Sequence, residues 1–148
     1  MTRYGYYPGA SAPRDEGRGA AVFALARAWA AGIVVLLLTE YLQTTLVNDH
    51  LVTSENLETF NGRLMLIHLP NALCIALATW AAGRCHREPF RDTKVQHVLA
   101  VCAVGVAAQA LNMVMQWQDL AAEGILMSNA VLVVGVVAGY AAERLQDD

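Results

Sequence analysis

Four long apolar blocks, separated by polar stretches, leave this 148-residue chain few ways to fold. They are residues 28–47 (AWAAGIVVLLLTEYLQTTLV), 64–83 (LMLIHLPNALCIALATWAAG), 95–117 (VQHVLAVCAVGVAAQALNMVMQW) and 125–142 (ILMSNAVLVVGVVAGYAA). At about 1.5 Å per helical residue, each is long enough to cross ~30 Å of hydrocarbon. Lipid offers the backbone no hydrogen-bond partner, so segments this short must span as helices. The alternating strands of about ten residues that a membrane barrel needs are missing. The expected fold is an all-α integral membrane four-helix bundle, up-down-up-down, in contact with the lipid bilayer.

Charge composition agrees. Only 16% of residues are charged and 56% are apolar, against roughly 25% and 45–50% in a soluble domain. A net charge of −3 argues against nucleic acid as a partner. Ahead of the first block, residues 1–18 carry Pro8, Pro13, several glycines and mixed charge, and are expected to form a disordered tail. Residues 19–148 then form the transmembrane domain. The tail is too long and polar for the start of a signal peptide, so the first span is expected to stay attached.

Basic residues orient the bundle. Arg3, Arg14, Arg18, Arg27, Arg84, Arg87, Arg91, Lys94 and Arg144 fall on one side, and Arg63 alone on the other. Asp49, Glu55, Glu58, Asp119 and Glu123 share the side of Arg63. The positive-inside rule puts both termini in the cytoplasm, in a cell membrane. Trp117 and Tyr140, near span ends, suit the interface.

The spans are not purely apolar. Glu40, Gln43 and Thr44 share one face of the first, and His68 and Asn71 lie three apart in the second. Gln109, Asn112 and Gln116 share a face of the third, while Ser128 and Asn129 sit in the fourth. Counted from the loops, all lie in the outer half at depths that agree within about one turn. An ionisable group facing lipid costs at least ~2.5–3.5 kcal/mol near the helix centre, so Glu40 and His68 are expected to face inward. This points to an outer pocket. Glu40 and His68 would be its acid–base groups if the protein is an enzyme, and Gln43, Asn71, Gln109, Asn112 and Asn129 its ligand-binding groups. The plainer reading is helix-to-helix hydrogen bonding, at ~0.6–2 kcal/mol for each polar residue.

Other motifs carry less. Gly135-x-x-x-Gly139 and Ala72-x-x-x-Ala76 are small-residue faces for close packing, within the chain or against a second copy or another membrane protein. Pro70 removes a backbone bond to Leu66 and should kink the second span. Cys74, Cys85 and Cys102 form no C-x-x-C pair, so no redox motif is signalled. His68 and His97 lie at opposite depths and cannot share a haem iron. Cys85, His86 and His97 match no zinc spacing, and the basic loop beside them opposes a cation. No metal or cofactor is expected. No phosphate-cradling glycine loop or hydrolase motif occurs, and a transporter normally needs more helices.

The segments TEYLQTTLVN (39–48), RLMLIHLPNALCIAL (63–77), AQALNMV and ILMSNAVLVV together resemble a group of small, uncharacterised four-span membrane proteins of high-GC bacteria. The bias of 25 Ala, and of nine Arg against one Lys, fits such a genome. The resemblance implies the four-span architecture and matches Gln43, Asn48, His68 and Asn112 to the group's polar positions. The expected function is binding of a lipophilic or small ligand, or of a membrane partner, through the outer polar cluster. The alternative is an intramembrane enzyme acting on an isoprenoid- or quinone-like substrate, with Glu40 as general acid.

Overall fold

The structure is a computed structural model that describes residues 14–86, 94–115 and 122–146, with residues 14–17 and 48 described by backbone alone. Among them every regular element is helical and no strand occurs. Helix α1 (Arg14–Gln43) continues through a π turn (Thr44–Asn48). Two short helices, α2 (Ser54–Glu58) and α3 (Phe60–Arg63), lead through a second π turn (Leu64–His68) into α4 (Leu69–Cys85). Helices α5 (Lys94–Met115) and α6 (Ala122–Leu145) complete the bundle. Residues 14–18, expected in the tail, begin α1. The rest of that tail, the loop 87–93, Gln116 and Trp117 lie outside the described residues.

Four helices are long and apolar enough to cross a membrane: Arg18–Val47, Phe60–Cys85, Lys94–Met115 and Ala122–Leu145. Only 11–28% of the residues in the most apolar stretch of each are buried. Large side chains point outward, among them Phe23, Leu37, Leu73, Val114, Leu126 and Val137. The interior is instead built mainly from Ala24, Ala28, Ala78, Ala82 and Ala100, with Leu36, Cys74, Val101 and Val104 filling its middle. Water would not tolerate that surface, whereas lipid tails are as apolar as leucine and leave close backbone packing to hold helices together. The chain has the side-chain distribution of a membrane bundle.

Helix α4 is the centre. Helices α1 and α6 flank it along their lengths, and α5 touches α1, α4 and α6. The α4–α6 seam depends on two glycines. A Cβ on Gly135 would come 2.8 Å from the Ala72 carbonyl oxygen, and one on Gly139 would collide with the Ala76 carbonyl and approach Thr79 Cβ to 2.8 Å. Both expected small-residue motifs therefore face each other inside one chain, and the glycine face is occupied by α4.

The two π turns sit where the sequence disturbs a regular helix. Pro70 has no N–H for the Leu66 carbonyl, and the turn before it widens until Leu69 N–H bonds to Leu64 O, five residues back. Thr45 Oγ1 donates to the carbonyls of Tyr41 (3.0 Å) and Leu42 (3.2 Å), which diverts them at the entry to the other π turn. At the hairpin between them, Thr53 and Thr59 cap α2 and α3 by accepting from Asn56 and Gly62 N–H.

Candidate functional site

The polar residues expected to form one pocket do not all share one contact network among the described residues. Between α1 and α4, Gln43 Nε2 donates to Asn71 Oδ1 at 2.6 Å, and Cys74 Sγ donates to Gln43 Oε1 at 3.3 Å. These three close on one another across the helix interface, as interhelical hydrogen bonding requires. Glu40, one turn earlier, is exposed on α1. No hydrogen bond among the described residues joins it to His68 or Asn112.

His68 looks the other way. It is half-buried at the end of its π turn and lines a cleft of about 250 Å³, at the end of the bundle that holds α3, with Phe60, Arg63, Glu123, Gly124 and Met127. Residues three apart lie near one face of a regular helix, yet Asn71 meets Gln43 of α1 while His68, at the end of a π turn, lines a cleft with residues of α3 and α6. In α6, Asn129 Nδ2 and Ser128 Oγ both donate to Ile125 O, at 2.8 and 3.2 Å, and so stay local. On α5, Asn112 is exposed and Gln109 half-buried, its Nε2 without a partner among the described residues. Of the expected site residues, the structure joins Gln43 with Asn71, sets His68 in a cleft, and keeps the Asn129 bond within α6.

A second polar centre lies at the opposite end. His97, in the first turns of α5, places Nε2 3.3 Å from Glu143 Oε2, near the end of α6. His97 is 2% exposed and Glu143 0%. The His86 ring, 1% exposed at the end of α4, stacks at a tilt 5.6 Å from that of His97, and the Tyr140 ring lies 6.0 Å away on the far helix. Three helix ends thus converge on one imidazole. Gly83 makes the room, since a Cβ there would approach Glu143 Cγ to 3.0 Å. Arg144 encloses the site from outside, donating to Tyr140 Oη from Nε (3.0 Å) and Nη2 (2.8 Å). His97 Nδ1 and Thr79 Oγ1, both buried, have no partner among the described residues. No set of three or more described His, Cys, Asp or Glu residues is arranged to hold a metal ion.

Sequence reasoning considered His86 and His97 only as metal ligands and did not single out Glu143. That residue follows Ala142, the expected end of the last span, and precedes Arg144. A chain-end carboxylate beside an arginine reads as a solvated pair. The missed signal was spacing: Tyr140 and Glu143 are three apart, on the same face as Gly135 and Gly139.

The end-to-end contacts complete the geometry. Arg27 of α1 donates from Nε and Nη2 to Cys85 O at the end of α4, at 3.1 and 2.8 Å. Trp29 Nε1 reaches Leu99 O of α5 at 3.2 Å, and Trp80 Nε1 reaches Gln146 Oε1 at 3.1 Å. The chain matches no known protein family, no curated protein and no solved structure.

Proposed function

We propose that this chain is a four-span protein of the cell membrane, with both termini cytoplasmic, that binds a small ligand at its outer face. The pairing of helix ends supports an up-down-up-down order. Arg27 meets Cys85 at one end and Gln43 meets Asn71 at the other. The nine-to-one bias of basic residues supports the orientation.

The outer cleft carries the binding reading. Arg63 and His68 offer donors to an anionic or carbonyl group, Glu123 accepts from a donor, and Phe60 and Met127 supply apolar wall. A volume of about 250 Å³ suits a ligand smaller than a typical drug. The intramembrane-enzyme alternative requires Glu40 to share a void with a partner, and Glu40 lines none of the cavities described. Binding without chemistry is the better-supported reading.

The test is native mass spectrometry of protein extracted gently from its own membrane. A small-molecule adduct retained by the parent and lost in both His68→Leu and Glu123→Leu is the expected result. An adduct indifferent to both substitutions places the ligand elsewhere. Absence of any adduct, with no thermal stabilisation by a small-metabolite panel, overturns the binding reading.

A further inference from the structure

Of the cavities described, one combines an apolar slot with a cationic mouth. It runs between α1 and α4, has a volume of about 630 Å³, and is walled by Val34, Val35 and Trp80 over a floor of alanines. Its mouth, at the basic end of the bundle, holds Arg27 and Arg84. Among the described residues no carboxylate lines it. The other two cavities lack this combination: the groove between α1 and α5 has no charged lining residue, and the outer cleft mixes Arg63 with Glu123.

Arg27 is held in place. Two of its five N–H groups are committed to the Cys85 carbonyl, which fixes the guanidinium at the end of the slot. A planar guanidinium suits phosphate oxygens, and Arg84 adds a second positive charge at the same mouth. Val34 is 64% exposed, so the slot opens sideways to the hydrocarbon surrounding a spanning helix. A soluble phosphate has no use for that apolar wall, and a zwitterionic headgroup brings a cation that two arginines repel.

We infer that the α1–α4 groove is a binding site for an anionic phospholipid, its phosphate at Arg27 and Arg84 and an acyl chain along Val34, Val35 and Trp80. Basic pockets between helices on the cytoplasmic side are where such headgroups bind. The inference is independent of the outer cleft and rests on the chain's spanning a bilayer.

The experiment uses the full chain in detergent with equimolar phosphatidylglycerol and phosphatidylcholine of identical acyl chains, read by native mass spectrometry. The parent is expected to retain phosphatidylglycerol preferentially. Arg84→Gln, which leaves the Arg27 latch intact, should lower that preference about five-fold. Ala30→Phe, on an exposed position lining the slot, should lower occupancy by both lipids, while Ala110→Phe on the exposed face of α5 should change neither. Equal retention of the two lipids by the parent overturns the proposal. So does a phosphatidylglycerol preference unchanged in both Arg84→Gln and Ala30→Phe. Displacement of the lipid by inorganic phosphate at matched concentration would make this a free-phosphate site and overturn it as well. Should a variant misfold, the parent's lipid preference and its response to phosphate still decide the matter.

Discussion

The His97 imidazole and the Glu143 carboxylate meet 3.3 Å apart, both shut away from solvent, and tie the start of α5 to the end of α6. Removing one partner of a buried pair strands the other, at ~3–5 kcal/mol, whereas replacing both with apolar groups is often far milder. Glu143→Leu and His97→Leu should each lower the melting temperature sharply, and the double variant should recover part of the loss. Thermal unfolding in detergent measures the cycle. Additive losses would mean that the two side chains do not support each other.

Close approach along the α4–α6 seam makes a graded prediction. Gly139→Ala and Gly135→Ala should each destabilise by about 1–3 kcal/mol, because the new methyl meets backbone carbonyls that cannot withdraw. Gly139 should be the worse of the two. Gly124→Ala, where nothing lies within 4 Å, should be neutral or slightly stabilising. Indifference at both seam glycines would contradict the packing.

Glu40 separates two pictures of the outer half. A polar cluster centred on it would be damaged by Glu40→Leu. In the structure Glu40 is exposed and Gln43 bonds to Asn71 instead. Glu40→Leu should therefore leave the unfolding free energy within about 0.5 kcal/mol of the parent. Gln43→Leu should cost ~0.6–2 kcal/mol. The reverse order would restore Glu40 to the centre.

Orientation is open to a direct check. Reporters fused after Asp148 and inserted within residues 50–60 should report opposite sides of the membrane, the first cytoplasmic. Finding both on one side would break the shared-depth argument for the outer polar residues.

The spans were legible because mean hydropathy over twenty residues depends little on how a helix is rotated. Gln43 and Asn71 were also legible, since both their depth and their chemistry matched across adjacent spans. What composition could not supply was azimuth. These helices are apolar nearly all round, so no polar face tells which way Glu40 or His68 turns. Depth alone groups Glu40, His68 and Asn112, and depth does not say which way each side chain turns. Glu143 was obscured for a different reason, because the end of a span is where charge is expected and a buried carboxylate there resembles an exposed one.

The inward alanines and outward leucines have a consequence for how such a chain drifts over generations. In a soluble domain the bulky interior residues are fixed and the surface changes freely. Here Leu37, Leu73, Val114 and Val137 point outward, and an apolar neighbour of similar length would serve as well at each. Gly135 and Gly139 cannot gain a single carbon without moving a helix, and Ala78, Ala82 and Ala100 are shut away from the surface. The record of ancestry in this chain is therefore written in its smallest side chains.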